Sequence, residues 1–317
     1  MTPLRDFANS IANADLPLAV GPAISTTDFC VIGFSMDSIL VLIASPNSGA
    51  ISHEVIQKVG SSPRWLDQGT AAEFTEYPID ITQQLENYPF DVNIVPIAGR
   101  RKKILLADMD STMIHQECID ELGVMAGAGE RVKEITARAM SGELDFEHAL
   151  RARVALLKGL EETVVGRVIN ERITFMHGAK TLMATMKING AYTALVSSGF
   201  TDFTSYVAGV LGFDEHHANR LLVENGQITG QVAEPILGKA AKLITLEYIC
   251  ATHGLVPDQV IAVGDGANDI PMLVAAGMGV AIHAKPHVQL QAQYVINHGD
   301  LTALLFLQGY KKSDFCL

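Results

Sequence analysis

From residue 104 onward, short continuous apolar runs end abruptly in small polar clusters. Ile104-Leu105-Leu106-Ala107 runs into Asp108, Tyr192 to Val196 into Ser197-Ser198-Gly199, and Val260 to Val263 into Gly264-Asp265-Gly266. Two further runs follow, Met278 to Ile282 and Tyr294 to Asn297. Unbroken apolar runs separated by helix-length segments mark strands buried on both faces of a parallel sheet. Open α/β sheets bind ligands beyond the carboxyl ends of their strands, where all three polar clusters fall. The pattern predicts an α/β fold with a Rossmann-like parallel sheet and its site along that edge.

Before residue 99 the pattern differs. Asp28 to Phe34 and Ile39 to Ala44 read as strands around the turn Ser35-Met36-Asp37-Ser38. His53 to Val59 reads as a short helix, and Asp91 to Ile97 alternates like another strand. These elements predict a small α+β domain over 1–98, without repeats or a chemical motif. The basic run Arg100-Arg101-Lys102-Lys103 marks the passage into a second domain, 99–317. Between its first two strands, 114 to about 176 carries three amphipathic periods. They fall at Val132, Ile135 and Ala139, at Leu150, Val154 and Leu157, and at Val165, Val168, Ile169 and Ile173. A plain crossover does not need about 60 residues, so a helical cap inserted after the first strand is expected. Leu221 to Gly230, centred on Asn225-Gly226, reads as a β-hairpin, and His216-His217 falls in an expected loop.

Composition excludes several kinds of partner. At about 150 residues per domain, 317 residues fit two domains. The net charge, 23 − 35 = −12, argues against a broad grip on nucleic acid or anionic lipid. Cys30, Cys118, Cys250 and Cys316 lie far apart with no CxxC spacing, so neither a disulfide framework nor a zinc site is expected. A reducing cytoplasm is their simplest home. The first residues lack a secretory pattern, and no apolar run reaches the roughly 20 residues that a membrane span needs.

The polar clusters carry the candidate chemistry. Asp108-Met109-Asp110-Ser111-Thr112 places two carboxylates at one strand end, and Gly264-Asp265-Gly266-Ala267-Asn268-Asp269 places two more at another. Taken singly, either pair could merely cap a turn. Four carboxylates in one crevice would repel severely without a hard cation, and oxygen ligands of this kind suit Mg²⁺.

DMDST, SSG, a lysine and GDGAND, in that order, resemble the four motifs of the haloacid dehalogenase-like hydrolases from about Lys102 to the end. The resemblance implies Asp108 as nucleophile and Asp110 as general acid/base. It implies Ser197, Ser198 and Gly199 as phosphoryl ligands. Metal ligation falls to Asp108, Asp110 (through its carbonyl) and Asp265, with Asn268 and Asp269 in support. Lys242 matches the phosphate lysine, with Lys239 as the alternative. The stretch MDST…HQECIDELG, followed by GELDFEHALRARVALLKGL, resembles the phosphoserine phosphatase family in particular. By that resemblance Glu117 meets the substrate ammonium and Arg153, rather than Arg151, its carboxylate, while Met140 and Phe146 enclose the substrate. The implied reaction is Mg²⁺-dependent hydrolysis of O-phospho-L-serine, the last step of serine biosynthesis. Two alternatives stay open, another small phosphomonoester or a domain that only senses an amino acid. The N-terminal part resembles the ACT-like regulatory domains of some relatives. A structural role, or one holding a homodimer together, fits its residues equally.

Overall fold

The computed structural model describes residues 37–140 and 143–317. The expected strand Asp28 to Phe34 and the start of the turn after it lie outside the described residues. Twelve strands follow among the described residues: β1 (Ser38–Ala44), β2 (Arg64–Asp67), β3 (Ala71–Phe74), β4 (Phe90–Pro96), β5 (Ile104–Ala107) and β6 (Tyr192–Phe200), then β7 (Glu215–Asn219), β8 (Leu221–Glu224), β9 (Gln227–Val232), β10 (Val260–Gly264), β11 (Met278–Ile282) and β12 (Tyr294–Ile296).

Strands β1 to β4 form an antiparallel sheet in the order β2-β3-β1-β4. With helices His53–Val59 and Ile81–Gln84 between them, this is the split βαββαβ arrangement. Alternate residues of β1 serve two cores. Leu40 and Leu42 pack with Val55, Val59 and Ile81 of the helices, whereas Ile39, Val41 and Ile43 join Leu304, Leu305 and Leu307 in the main core. Burial on both faces is why Ile39 to Ala44 reads as an unbroken apolar run.

β2 and β3 escaped the sequence reading, being four residues each and carrying a charged residue inside. Glu73 of β3 is buried because Arg64 and Arg100 both pair with its carboxylate. Arg101 and Lys102 of the basic run are also engaged within the molecule. The Arg101 guanidinium lies 4.1 Å from the Tyr310 ring centroid, and Lys102 Nζ donates to the Asp258 carbonyl at 2.7 Å.

The second sheet has the order β12-β11-β10-β5-β6-β7, with every neighbouring pair parallel. Its side chains alternate between two cores. Leu105, Ala107, Ile261 and Val263 face one, and Ile104, Leu106, Val260 and Ala262 the other. Helices Lys239–His253 and Ile270–Ala275 cover the second. Because β6 and β10 lie on opposite sides of β5, the chain reverses its direction of winding there, which opens a crevice at the carboxyl edge.

Two expectations change in this sheet. β6 does not stop at Val196 but runs through Ser197-Ser198-Gly199 to Phe200. His216 and His217 sit in β7, opposite Leu195 and Val196, rather than in a loop. β7 is an edge strand, so backbone pairing to β6 holds it, and its half-buried polar side chains find partners. His216 Nδ1 lies 2.9 Å from Thr204 Oγ1.

The insert after β5 contains helices Cys118–Met125, Gly129–Met140, Phe146–Ala155 and Thr163–Glu171. The first was not anticipated, and Leu157 falls beyond the third. In the β8–β9 hairpin Asn225 (φ 50°) and Gly226 (φ 75°) supply the left-handed pair that a two-residue type I′ turn requires. Among the described residues, no helix is long and apolar enough to cross a membrane.

Candidate functional site

β5 delivers Asp108 to the carboxyl edge beside β10, where its backbone N–H donates to the Val263 carbonyl at 3.0 Å. The residue is 5% exposed. Lys242, on the helix that packs beneath, is 1% exposed. Its ammonium lies 2.7 Å from Asp108 Oδ1 and also hydrogen-bonds Asp269. Lys239, one turn earlier, is exposed. Although only three positions apart, one lysine is buried in the site and the other faces solvent.

Asp269 is fully buried, bonded on its other oxygen to the Gly266 N–H at 2.9 Å. Carboxylate oxygens of Asp108, Asp265 and Asp269 all lie within 4.8 Å of one another. Thr112 Oγ1 donates to Asp265 Oδ1 at 3.0 Å and so fixes its orientation. One ammonium cannot compensate three carboxylates, two of them buried and the third, Asp265, half-buried. Burial raises Asp108 well above the ordinary carboxylate range, and repulsion from Asp269 adds to it against the attraction of Lys242. Asp265 is pushed up to about 6, first by burial and then by Asp269. Burial works against the Lys242 charge, but Asp108 and Asp269 outweigh it and keep the amine protonated. The missing positive charge, surrounded by hard oxygen donors, fits a divalent cation.

Asp110 and Ser197 face each other across the mouth. A Cβ placed on Gly199 would lie 3.1 Å from Asp110 Oδ2 and 3.1 Å from Ser197 Oγ, so a side chain there would fill the space between them. The Gly199 N–H donates to Ser197 Oγ at 2.9 Å. Asp110 Oδ1 is buried with no hydrogen-bond partner, one of the few such atoms among the described residues. Burial, followed by the charge of Glu117, pushes Asp110 up to about 7. Neighbouring Cys118 is an inert core residue whose thiol burial drives far up.

Loop contacts hold the tip of β6. Asn268 Nδ2 donates to Ser198 Oγ at 3.0 Å, which ties β6 to the loop after β10. Asn219 Nδ2 donates to the Ser198 carbonyl at 2.8 Å, and its Oδ1 accepts from the Leu237 N–H at 2.7 Å. The sequence reading missed Asn219 and Thr112. Thr112 lies inside the DMDST motif and could have been found there, whereas nothing local distinguishes Asn219.

The cap supplies the rest. Glu117 is exposed at the open mouth, accepting from Ser111 Oγ at 2.7 Å. Arg153 is half-buried and, among the described residues, donates to the Ala149 carbonyl (3.3 Å) and Thr136 Oγ1 (3.4 Å). No carboxylate among the described residues lies within salt-bridge distance of it. By contrast, Arg151 pairs with Glu234 at the surface. The Phe146 ring sits over the start of the Lys242 helix, where a Cβ on Gly238 would come within 3.3 Å of it. Met140 ends its helix, and its side chain lies outside the described residues.

Comparison with known proteins places this geometry in context. The family model of the haloacid dehalogenase-like hydrolases matches residues 105–274. A phosphoserine phosphatase of Haemophilus influenzae is 46% identical over 204 residues, covering 64% of this chain and 65% of that protein. The chain thus spans just under two thirds of that relative's length. Among solved structures, a probable phosphoserine phosphatase from Vibrio cholerae, unliganded, matches with TM-score 0.71 at 31% identity, covering 88% of this chain and 89% of that one. A phospho-aspartyl intermediate analogue of phosphoserine phosphatase matches with TM-score 0.61 at 42% identity, covering 65% and 98%.

Proposed function

The chain belongs to the haloacid dehalogenase-like hydrolases, and from that premise we propose that it hydrolyses O-phospho-L-serine to L-serine and phosphate, closing a route of serine biosynthesis. The observation that carries this reading is the convergence of Asp108, Asp110, Ser197 and Lys242 from three elements on one crevice, under a cap whose Arg153 has no salt bridge among the described residues.

The chemistry follows from these positions. An Asp108 carboxylate oxygen attacks phosphorus, and the bond from phosphorus to the serine oxygen breaks. Asp110 gives its proton to that leaving oxygen; a group held up to about 7 carries a proton to give at neutral pH. Ser197 Oγ and the amides at the tip of β6 receive the phosphoryl oxygens, and Lys242 neutralises charge on Asp108 and the transferring group. Asp110 then takes a proton from the water that attacks the aspartyl-phosphate, and phosphate departs with Asp108 restored.

Phosphatases of this family are metal-dependent, and the acidic cluster suits Mg²⁺. Asp108, Asp265 and the Asp110 carbonyl would hold it, with Asp269 and Asn268 behind them. When bound, the ion supplies charge neutralisation at the phosphoryl oxygens. Chelation by EDTA is expected to reduce phosphate release to background, and added Mg²⁺ to restore it. Unchanged activity in EDTA would remove the ion from this account.

Arg153 is the expected reader of the substrate carboxylate, through two parallel N–H bonds, and Glu117 that of the ammonium. Phe146 and Met140 close over the substrate. Arg153→Ala should lower kcat/KM for phosphoserine by roughly 10²-fold, because two charge-assisted hydrogen bonds at about 1.5 kcal/mol or more each are lost. Hydrolysis of p-nitrophenyl phosphate, which has no carboxylate, should change by less than about threefold, within the reach of indirect effects. Equal losses on both substrates would refute the assignment. A Mg²⁺-supplemented panel of phosphorylated small molecules tests the substrate directly.

The unit over 1–98, the phosphatase unit over 99–317 and its cap at 114–176 fit this reading. Free, dispersed cysteines among the described residues fit a cytoplasmic enzyme.

A further inference from the structure

Beside the apolar packing of β1 into the main core, β4 of the N-terminal sheet meets β12 of the catalytic sheet, and one buried carboxylate sits at that contact. Asp91 of β4, 5% exposed, accepts backbone N–H bonds from three consecutive residues. Asn297 donates at 2.6 Å, His298 at 3.1 Å and Gly299 at 2.8 Å. Beside it, the Asn93 amide bonds Val295 through both its N–H and its carbonyl, each at 3.1 Å, as a neighbouring strand would. β12 is an edge strand whose backbone would otherwise be unpaired on that side. Side chains of β4 complete it.

The segment that Asp91 grips leads directly to the base of the cap. Leu301 N–H donates to the His177 carbonyl at 3.1 Å. Gly178, with φ at +81°, sits so close to Thr302 that a Cβ would be 2.8 Å from its nitrogen. Residues 174–177 are the returning limb of the cap, and they are zipped to its outgoing limb. Met176 N–H donates to the Met113 carbonyl at 2.9 Å, His115 N–H to the Thr174 carbonyl at 3.0 Å, and Ile114 bridges Phe175. Gln116 clasps Thr174 twice, each bond at 2.9 Å. The outgoing limb begins three residues after Asp110.

Asp108 and Ser197 are almost closed to solvent, so a phosphoester that touches both needs the groups above to make room. Any displacement of the cap acts at these two limbs, because they are its covalent connections to the sheet.

We infer that Asp91 is a positioning residue for the cap. By pinning residues 297–299 it anchors the returning limb, and through that limb it fixes the segment following Asp110. The N-terminal unit thus buttresses the hinge and bears on how well the cap reads its substrate. The kinetic part of this inference rests on the assignment of Arg153 and phosphoserine above; the hinge part does not.

The test uses the full chain with Asp91→Ala and Asp91→Asn, the latter retaining one carbonyl acceptor. In Asp91→Ala, amide hydrogen exchange at Met176, His115 and Leu301 should accelerate by about tenfold or more, with that of Asp108 and the β10 amides unchanged, because local opening is freed separately from global unfolding. Asp91→Asn should fall between. KM for phosphoserine should rise about three- to tenfold with kcat within about twofold, while p-nitrophenyl phosphate kinetics stay the same, the signature of lost positioning rather than lost chemistry. Unaltered exchange at Met176 and His115, once residues 297–299 are freed, would overturn the inference. An equal acceleration in β5 and β10 would overturn it too. If the alanine variant does not fold, Asp91→Asn carries the same comparison. A wild-type enzyme inactive on phosphoserine would defeat the substrate reading, while hydrogen exchange still decides the hinge.

Discussion

Asp108→Asn is expected to lower phosphate release by on the order of 10⁴-fold or more, the scale seen when a covalent nucleophile is removed. An amide has the shape of the carboxylate but lacks the anionic oxygen that attacks phosphorus. The fold should survive the change. Asp108 lies in a site with three carboxylates and one ammonium, and burial already disfavours its charge. Replacing it with a neutral group relieves repulsion from Asp269 and Asp265 while surrendering one bond to Lys242. The melting temperature should therefore hold or rise while turnover disappears. Parallel measurement of phosphate release and thermal unfolding checks both halves. Turnover within tenfold of the wild type would reject Asp108 as the nucleophile.

Lys242→Met should produce the largest loss of stability, about 3–5 kcal/mol, the cost of leaving buried charge without its partner. The methionine fills a similar space, so the loss reports electrostatics more than packing. Asp269 loses its ammonium contact and Asp108 loses a bond of 2.7 Å. Saturating Mg²⁺ should recover part of that stability, since it supplies positive charge to the same oxygens. Lys239→Met, at an exposed position, should change stability by less than about 0.5 kcal/mol. Denaturant melts of the two variants, with and without Mg²⁺, separate these outcomes. Comparable losses from both would show that the buried ammonium has no special role.

The parts of the fold legible in the sequence were those with strong local signals. The strands β5, β10 and β11 are buried on both faces, so each is written as an apolar run with a polar stop. The β8–β9 hairpin announces itself through Asn225-Gly226, a pair suited to two left-handed residues. Elements without such signals were missed. β2 and β3 are short, and β3 carries Glu73, tolerable only because Arg64 and Arg100 arrive from elsewhere to pair with it. β7 reads as a polar loop, and only pairing with β6 makes it a strand.

The candidate site divides the same way. Asp108, Asp110, Asp265 and Asp269 follow the ends of recognisable strands and Ser197 lies in the last part of β6, in motifs compact enough to be read directly. Their residue types at that spacing already suited a hard cation, and the phosphate followed from the resemblance of the motifs. The choice between Lys242 and Lys239 could not be made from a helix sequence, because three positions leave both on nearly the same face. Packing against Asp108 and Asp269 made it. Arg153 and Arg151 were separated by resemblance alone, yet their surroundings differ physically: Arg151 pairs with Glu234, whereas among the described residues Arg153 has no carboxylate within salt-bridge distance.

By itself, then, the sequence determined which short segments carry chemistry and that they would meet at one edge of a parallel sheet. Backbone periodicity and strand ends are local properties, encoded within a few residues. Only the tertiary structure decided which side chains are buried together and that Asp91 of the N-terminal sheet grips residues 297–299. Asp91 and the 297–299 amides are about 200 positions apart in the chain. Contacts at such separation arise from burial and hydrogen-bond satisfaction in three dimensions, and no local pattern in one sequence records them.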